Sequence, residues 1–217
     1  MKVSFIIPAY NEARTVGDVV RIASSTGLGE VIVVSDGSRD GTGEVASAAG
    51  AQVITLDENR GKGAAISAAL PRVQGEVVVL LDADLVGLRA DHIEQLAGPV
   101  LRGEADMAVG VFSGGRFGTD FAQRVAPHLS GQRAVRRGLL DDLGELPHDY
   151  GVDLALSRRA RSLGARVVRV PLRGISQVMK EEKYGLLGGL WKRARMYAQV
   201  LWYALRHRRR RSRTGGG

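Results

Sequence analysis

The chain has 217 residues, 44% of them hydrophobic and 25% charged, which favours a single globular domain with its own core. It contains no cysteine, so disulfides and thiolate metal sites are excluded, and a cytoplasmic setting is expected. Of the net charge of +8, six units come from Arg206, Arg208, Arg209, Arg210, Arg211 and Arg213, so the basicity is that of a tail, and no base-reading or stacking motif accompanies it to indicate nucleic acid.

No run reaches the roughly 18 to 20 apolar residues that span a bilayer. Met1-Lys2 leads directly into an apolar stretch over 3–7, which reads as a buried strand rather than a signal peptide. Further strands are expected over 31–35, 52–56, 77–81 and 107–111. The first four of these five runs are nearly continuous in apolar residues, as strands covered on both faces are. Helices are expected between them over 15–23, 42–49, 62–70 and 91–101. This alternation is that of βαβ units feeding a parallel sheet. Beyond residue 111 a mobile glycine-rich loop is expected over 112–120, helices over 132–139 and 152–163, and a last strand over 166–170.

From 186 to 205 the residues Leu187, Leu190, Trp191, Ala194, Tyr197, Ala198, Leu201, Trp202 and Leu205 recur at spacings of three and four, forming one apolar stripe. Packing on the domain is one use for that stripe. Its tryptophans and the following arginines equally suit an interfacial helix on an anionic membrane. The expected organisation is therefore a globular α/β domain over 1–180, an amphipathic helix over 181–206 and a disordered tail over 207–217.

Ligands of parallel α/β sheets bind beyond the carboxyl ends of the strands. Strand one ends in Pro8-Ala9-Tyr10-Asn11-Glu12, and strand two in Ser35-Asp36-Gly37-Ser38-Arg39-Asp40. Asn59-Arg60-Gly61-Lys62-Gly63 follows strand three, and Asp82-Ala83-Asp84 follows strand four. Four polar strand ends converging on one edge describe a site. Asp82 and Asp84 suit a hard divalent cation, Mg²⁺ or Mn²⁺, that balances the charge of a diphosphate. Glu12 and Asp36 are acceptors for a base edge or ribose, although Asp36-Gly37 is also a turn signal. Lys62 opens a glycine-flanked helix where phosphate can approach, or is an ordinary exposed helix lysine.

These four segments together resemble the family 2 glycosyltransferases over residues 3–170. The resemblance implies a GT-A fold, a UDP- or GDP-sugar donor and a metal held by the Asp-X-Asp pair. It places Pro8, Ala9, Tyr10, Glu12 and Asp36 around the nucleoside, Asp82 near ribose or metal, and Asp84 on the metal. Ser130-Gly131-Gln132-Arg133 is similar to the corresponding segment of the polyprenyl-phosphate sugar synthases, which would turn Gln132 and Arg133 toward the donor sugar or phosphates. Tyr150-Gly151-Val152-Asp153 resembles the acceptor-side acidic motif, with Asp153 the candidate base and Asp149 second. Where some relatives complete the metal site with histidine, this chain offers Gln177, and His128 and His148 are less favoured. The implied enzyme is a hexosyltransferase acting on a lipid-linked acceptor, such as a polyprenyl phosphate, at the inner face of the plasma membrane. A soluble acceptor of the phosphoglycerate type is the alternative within the family. Nucleotidyl transfer would call for a glycine-rich basic signature after strand one, where Pro8–Glu12 stands instead.

Overall fold

The structure, a computed structural model, describes residues 1–113, 131–141 and 151–177, all within a unit spanning Met1–Gln177. The regular elements expected within these residues appear in order, with one exception. They are β1 (Val3–Ala9), α1 (Val16–Ser25), β2 (Gly29–Asp36), α2 (Thr42–Ala48), β3 (Gln52–Leu56), α3 (Lys62–Ala69) and β4 (Val77–Leu80). A two-residue strand β5 (Leu85–Val86), α4 (Ala90–Leu101) and β6 (Met107–Ser113) follow. Then come β7 (Arg133–Arg136), α5 (Gly151–Ser162), β8 (Val167–Arg173) and β9 (Ser176–Gln177).

The exception is residues 132–139, where a strand and a 3₁₀ turn (Arg137–Leu139) replace the expected helix. The segment lies between β4 and β6 and pairs antiparallel with both, matching Leu80 with Arg133 and Val109 with Arg133. Two open strand edges supply backbone partners that a helix of about two turns cannot match, so tertiary pairing overrides the local pattern. β6 also continues through Phe112 and Ser113 into the stretch expected as loop, because it pairs with β8 as far as Ser113 and Arg173. The rest of that loop, the helix expected over 186–205 and the arginine tail lie outside the described residues.

The seven-stranded sheet has the order β3-β2-β1-β4-β7-β6-β8. All its pairings are parallel except those of β7. Alternate residues face opposite layers, the period of two expected of strands. Val3, Phe5 and Ile7 of β1 pack with Val16, Val19, Val20 and Ala23 of α1 and with Ile93, Leu96 and Val100 of α4. Ile6 points the other way, with Ile32 and Val34, toward Ala65 and Ile66 of α3 and Val152 and Leu156 of α5. Each fully buried Val, Ile or Leu contributes about 1.5–3 kcal/mol, so both faces hold the sheet rigid beneath its polar edge.

The strand order reverses direction between β1 and β4. Such a switch point opens a crevice at the carboxyl ends of the strands. A separate antiparallel pair, β5 with β9, sits just beyond β4 and sets Leu85 opposite Gln177.

Candidate active site

Two loops form the β1–β2 side of the crevice and clamp each other. Asn11 adopts a left-handed backbone, φ 53°, and its side-chain oxygen accepts the Arg39 amide at 2.9 Å. The amides of Asn11 and Glu12 donate to Ser38 Oγ and Thr42 Oγ1 at 3.1 and 2.9 Å. Asp40 accepts from the Ala13 and Thr42 amides, each at 3.1 Å. Its slight burial opposes ionisation, but the Thr42 hydroxyl, which also donates to it, and these amides outweigh burial and hold the carboxyl below its usual range. Ser38, Asp40 and Thr42 thus build the wall that presents Pro8, Ala9, Tyr10 and Glu12. Pro8 and Glu12 are partly buried, Ala9 is buried, and the Tyr10 ring is 40% exposed above them.

Asp36, at the end of β2, is buried and committed to backbone. Its two oxygens accept the amides of Arg60 and Gly61, each at 2.8 Å. Gly61 has φ 86°, a value that disfavours any side chain, and α3 starts at the next residue. Gly37, at φ 67°, lies so near this loop that a Cβ would stand 2.4 Å from the Asn59 amide nitrogen. Asp36 therefore sets where Lys62 begins.

Lys62 is no solvated helix lysine. Its Nζ donates to Asp82 Oδ1 at 2.8 Å and lies 3.8 Å from Asp153 Oδ2, with one-fifth of the side chain exposed. Burial works against its charge, but Asp153 and then Asp82 outweigh it and hold the ammonium above its ordinary range. The second oxygen of Asp82 accepts Gln132 Nε2 at 2.7 Å. Gly131 precedes that glutamine, and a Cβ there would fall 2.5 Å from Asp82 Oδ2 and 2.6 Å from Lys62 Nζ. A side chain there would have to push the Asp82 and Lys62 tips from their contact.

Asp84, two residues on, is the contrasting acid. Its Oδ1 is buried without a hydrogen-bond partner among the described residues. Burial, then the charges of Asp82 and Glu12, push its carboxyl up to about 7, against the pull of Lys62. A buried carboxylate oxygen that lacks a donor and faces like charges suits a hard cation. The residues present fit a divalent metal at Asp84, while both Asp82 oxygens are engaged by Lys62 and Gln132. Among the described residues no three histidine or acidic side chains gather around one point. Gln177 is brought alongside through its backbone pairing with Leu85.

Across the crevice, α5 supplies Asp153, which is 2% exposed. Burial raises its carboxyl above the usual range despite Lys62 and Arg133 on either side. Arg133 is fully buried, and its Nε stands 3.4 Å from Asp153 Oδ1. Burial lowers the guanidinium from its ordinary value, against the attraction of Asp153. Asp149, His128 and His148 lie outside the described residues.

A groove of about 560 Å³ opens at the opposite end of the strands, lined among others by Glu76, Asp106, Arg136, Arg137 and Leu163. Arg136 lies 3.6 Å from Asp106, and Arg137 Nη1 donates to the Val73 carbonyl at 2.9 Å. Its cations are thus already engaged. The strand-end crevice, where unbalanced charge and an unpartnered carboxylate oxygen gather, is the better candidate.

The sheet order, the layers and the strand-end carboxylates are those of the GT-A fold. The chain belongs to glycosyl transferase family 2, whose model matches residues 4–161. It is 30% identical over 188 positions to glycosyltransferase AglJ of Haloferax volcanii, covering 78% of this chain and 61% of that one. It is 31% identical over 193 positions to glucosyl-3-phosphoglycerate synthase of Mycobacterium tuberculosis, covering 71% and 59%. A third relative, the undecaprenyl-phosphate 4-deoxy-4-formamido-L-arabinose transferase of Pseudomonas paraeruginosa, is 33% identical over 169 positions, covering 73% and 47%. The chain thus spans less than two thirds of the length of these curated relatives. Among solved structures, the Mycobacterium tuberculosis synthase with Mn²⁺ and UDP-glucose superposes with a TM-score of 0.70 at 29% identity, covering 82% of this chain and 71% of that one.

Proposed function

We propose that the protein transfers a hexose from a nucleoside-diphosphate sugar, UDP-linked before GDP-linked, to a phosphate-bearing acceptor, with a divalent metal at Asp84. The observation that carries this reading is the unpartnered Asp84 Oδ1, buried beside Asp82 and Glu12 where a cation relieves the repulsion. A Mg²⁺ or Mn²⁺ ion bound there would balance the charge of the departing diphosphate, taking its other oxygen ligands from phosphate and water. The UDP-glucose and Mn²⁺ held by the synthase at a TM-score of 0.70 support the choice of nucleoside. Glu12 and Tyr10 border the nucleoside side, Lys62 and Gln132 hold Asp82 at the centre, and Asp153 faces the acceptor.

The acceptor we favour is a lipid-linked phosphate at an anionic membrane. The undecaprenyl-phosphate transferase relative and the Ser130–Arg133 segment support it. No helix among the described residues is long and apolar enough to cross a bilayer, so contact would be peripheral. A soluble acceptor is the second reading, favoured by the likeness to the synthase solved with phosphoglyceric acid, at a TM-score of 0.69.

The test of the core reading is UDP release from UDP-glucose with Mn²⁺, comparing the chain with Asp84→Asn. Loss of turnover with the fold intact is expected, and undiminished turnover in EDTA would refute the metal. Sedimentation with phosphatidylglycerol vesicles separates the acceptors. Salt-sensitive binding that falls on truncation after Leu205, and further after Gly185, supports the lipid, each arginine adding about 1 kcal/mol. A full chain that stays in solution at low salt supports the soluble acceptor.

A further inference from the structure

Arg133 stands where a donor-contacting cation was expected, yet its described contacts lead elsewhere. It enters at the start of β7, and its side chain is fully buried on the α5 side of the sheet. Nε lies 3.4 Å from Asp153 Oδ1, an ion-pair contact without a hydrogen bond to that oxygen, while Nη1 donates to Ser157 Oγ at 3.0 Å. The same nitrogen lies 3.6 Å from Met107 Sδ, a weak acceptor.

Asp153 and Ser157 are four residues apart on α5, so they share one face of the helix, one above the other. The guanidinium fork therefore meets one helical turn at two points, as an ion pair with Asp153 and a hydrogen bond to Ser157. Ser157 is suited to this in a particular way. Its hydroxyl proton is donated to the Asp153 carbonyl at 2.8 Å. A hydroxyl has one proton and two acceptor sites, so this back-bond leaves only lone pairs to face Arg133. The serine is thus locked as an acceptor, and the arginine cannot swing away from Asp153 without giving up a charge-assisted hydrogen bond in a dry setting. On its other side Asp153 has Lys62 at 3.8 Å. The carboxylate lies between two cations, one held by Asp82 and the other by Ser157.

We propose that Ser157 is a positioning residue that aims Arg133 at Asp153, so that Arg133 and Ser157 together fix the acceptor-side carboxylate rather than grip the donor. The proposal rests on the reading of Asp153 as the acceptor-side group.

The full-length chain is compared with Ser157→Ala and with Ser157→Thr, whose hydroxyl can make the same back-bond in a helix. The first readout needs no substrate. Hydrogen exchange at Arg133 Nε–H is followed by ¹⁵N NMR, the signal being identified by its loss in Arg133→Lys. Slow exchange in the parent, exchange faster by on the order of tenfold in Ser157→Ala, and recovery in Ser157→Thr are expected. The second readout is UDP release from UDP-glucose with Mn²⁺. Ser157→Ala should lower kcat on the order of tenfold to a hundredfold, with KM for UDP-glucose nearly unchanged and Ser157→Thr close to the parent. Unaltered Nε–H exchange in Ser157→Ala overturns the proposal. So does a rise in KM for UDP-glucose without a fall in kcat, since it would assign Arg133 to the donor. If the parent chain does not turn over UDP-glucose, the donor reading fails, and the NMR comparison alone decides the role of Ser157.

Discussion

Asp82 and Asp84 stand two residues apart, and their surroundings divide their work. Asp82 has a cation and an amide on its two oxygens. Asp84 has a buried oxygen without a described partner and a carboxyl raised to about 7, well above the ordinary carboxylate range. Because the folded protein holds the Asp84 proton more tightly than the unfolded chain does, ionising it costs stability. In the metal-free protein this contribution is absent below about pH 4 and grows until about pH 7. Denaturant titrations of metal-free protein should therefore show stability falling across that window. Asp84→Asn should flatten the fall, and a profile unchanged by the substitution would mean that Asp84 ionises freely. By the same linkage, Mn²⁺ must displace that proton, so its affinity should climb up to tenfold per pH unit below about 7 and level off above. Gly131 offers a second test. Gly131→Ala forces a methyl into the Asp82–Lys62 contact, and calorimetry should show nucleotide affinity weakened by about 1–3 kcal/mol.

α3 owes its starting point to β2. The Asp36 carboxylate holds the Arg60 and Gly61 amides, and Lys62 follows directly. Asp36→Ala should weaken UDP binding by about 1.5–3 kcal/mol, the range for a hydrogen bond to a charged group. It should also speed amide exchange at residues 60 and 61. Weaker UDP binding without faster exchange would assign Asp36 to the nucleoside directly. This element was half legible in the sequence. The motif located Asp36, Lys62 and Asp82 on one edge, but Lys62 read equally as a solvated helix residue, because nothing local announces a salt bridge spanning 20 positions. The parallel strands were legible because both faces are covered, and continuous apolar runs such as Val31–Val34 admit few other uses. β7 was not, since Gln132–Leu139 has no such run and its strand character comes from the edges on either side. Ser157 escaped notice because its meaning depends on Arg133, and a serine within a helix carries no signal of its own. Of the clamp at Ser38, Asp40 and Thr42, only the adjoining Asp36-Gly37 turn signal was visible.

At the scale of the molecule, the half of the site toward α5 depends on the strand that runs against the rest. β7 carries Gln132 and Arg133 to the crevice by its beginning, where β1, β2 and β4 bring their residues by their ends. It fills the place between β4 and β6, although both precede it in the chain. A ribosome that has released residues through 113 has therefore supplied β6 without the neighbour that joins it to β4. Until β7 arrives, both strands present unpaired backbone along a largely apolar edge, the geometry that invites other chains to add on. A chain ending at residue 130 should accordingly be recovered in aggregates, whereas the full chain refolds to a soluble product. Light scattering during dilution from denaturant compares the two. Soluble, cooperatively folded 1–130 would show that the four-stranded half from β3 to β4 protects its own edge. The last-made strand of the gap thus places a timing constraint on biosynthesis: the α5 side of the crevice can be organised only after the β1–β4 half has waited, open-edged, for β7 to be translated.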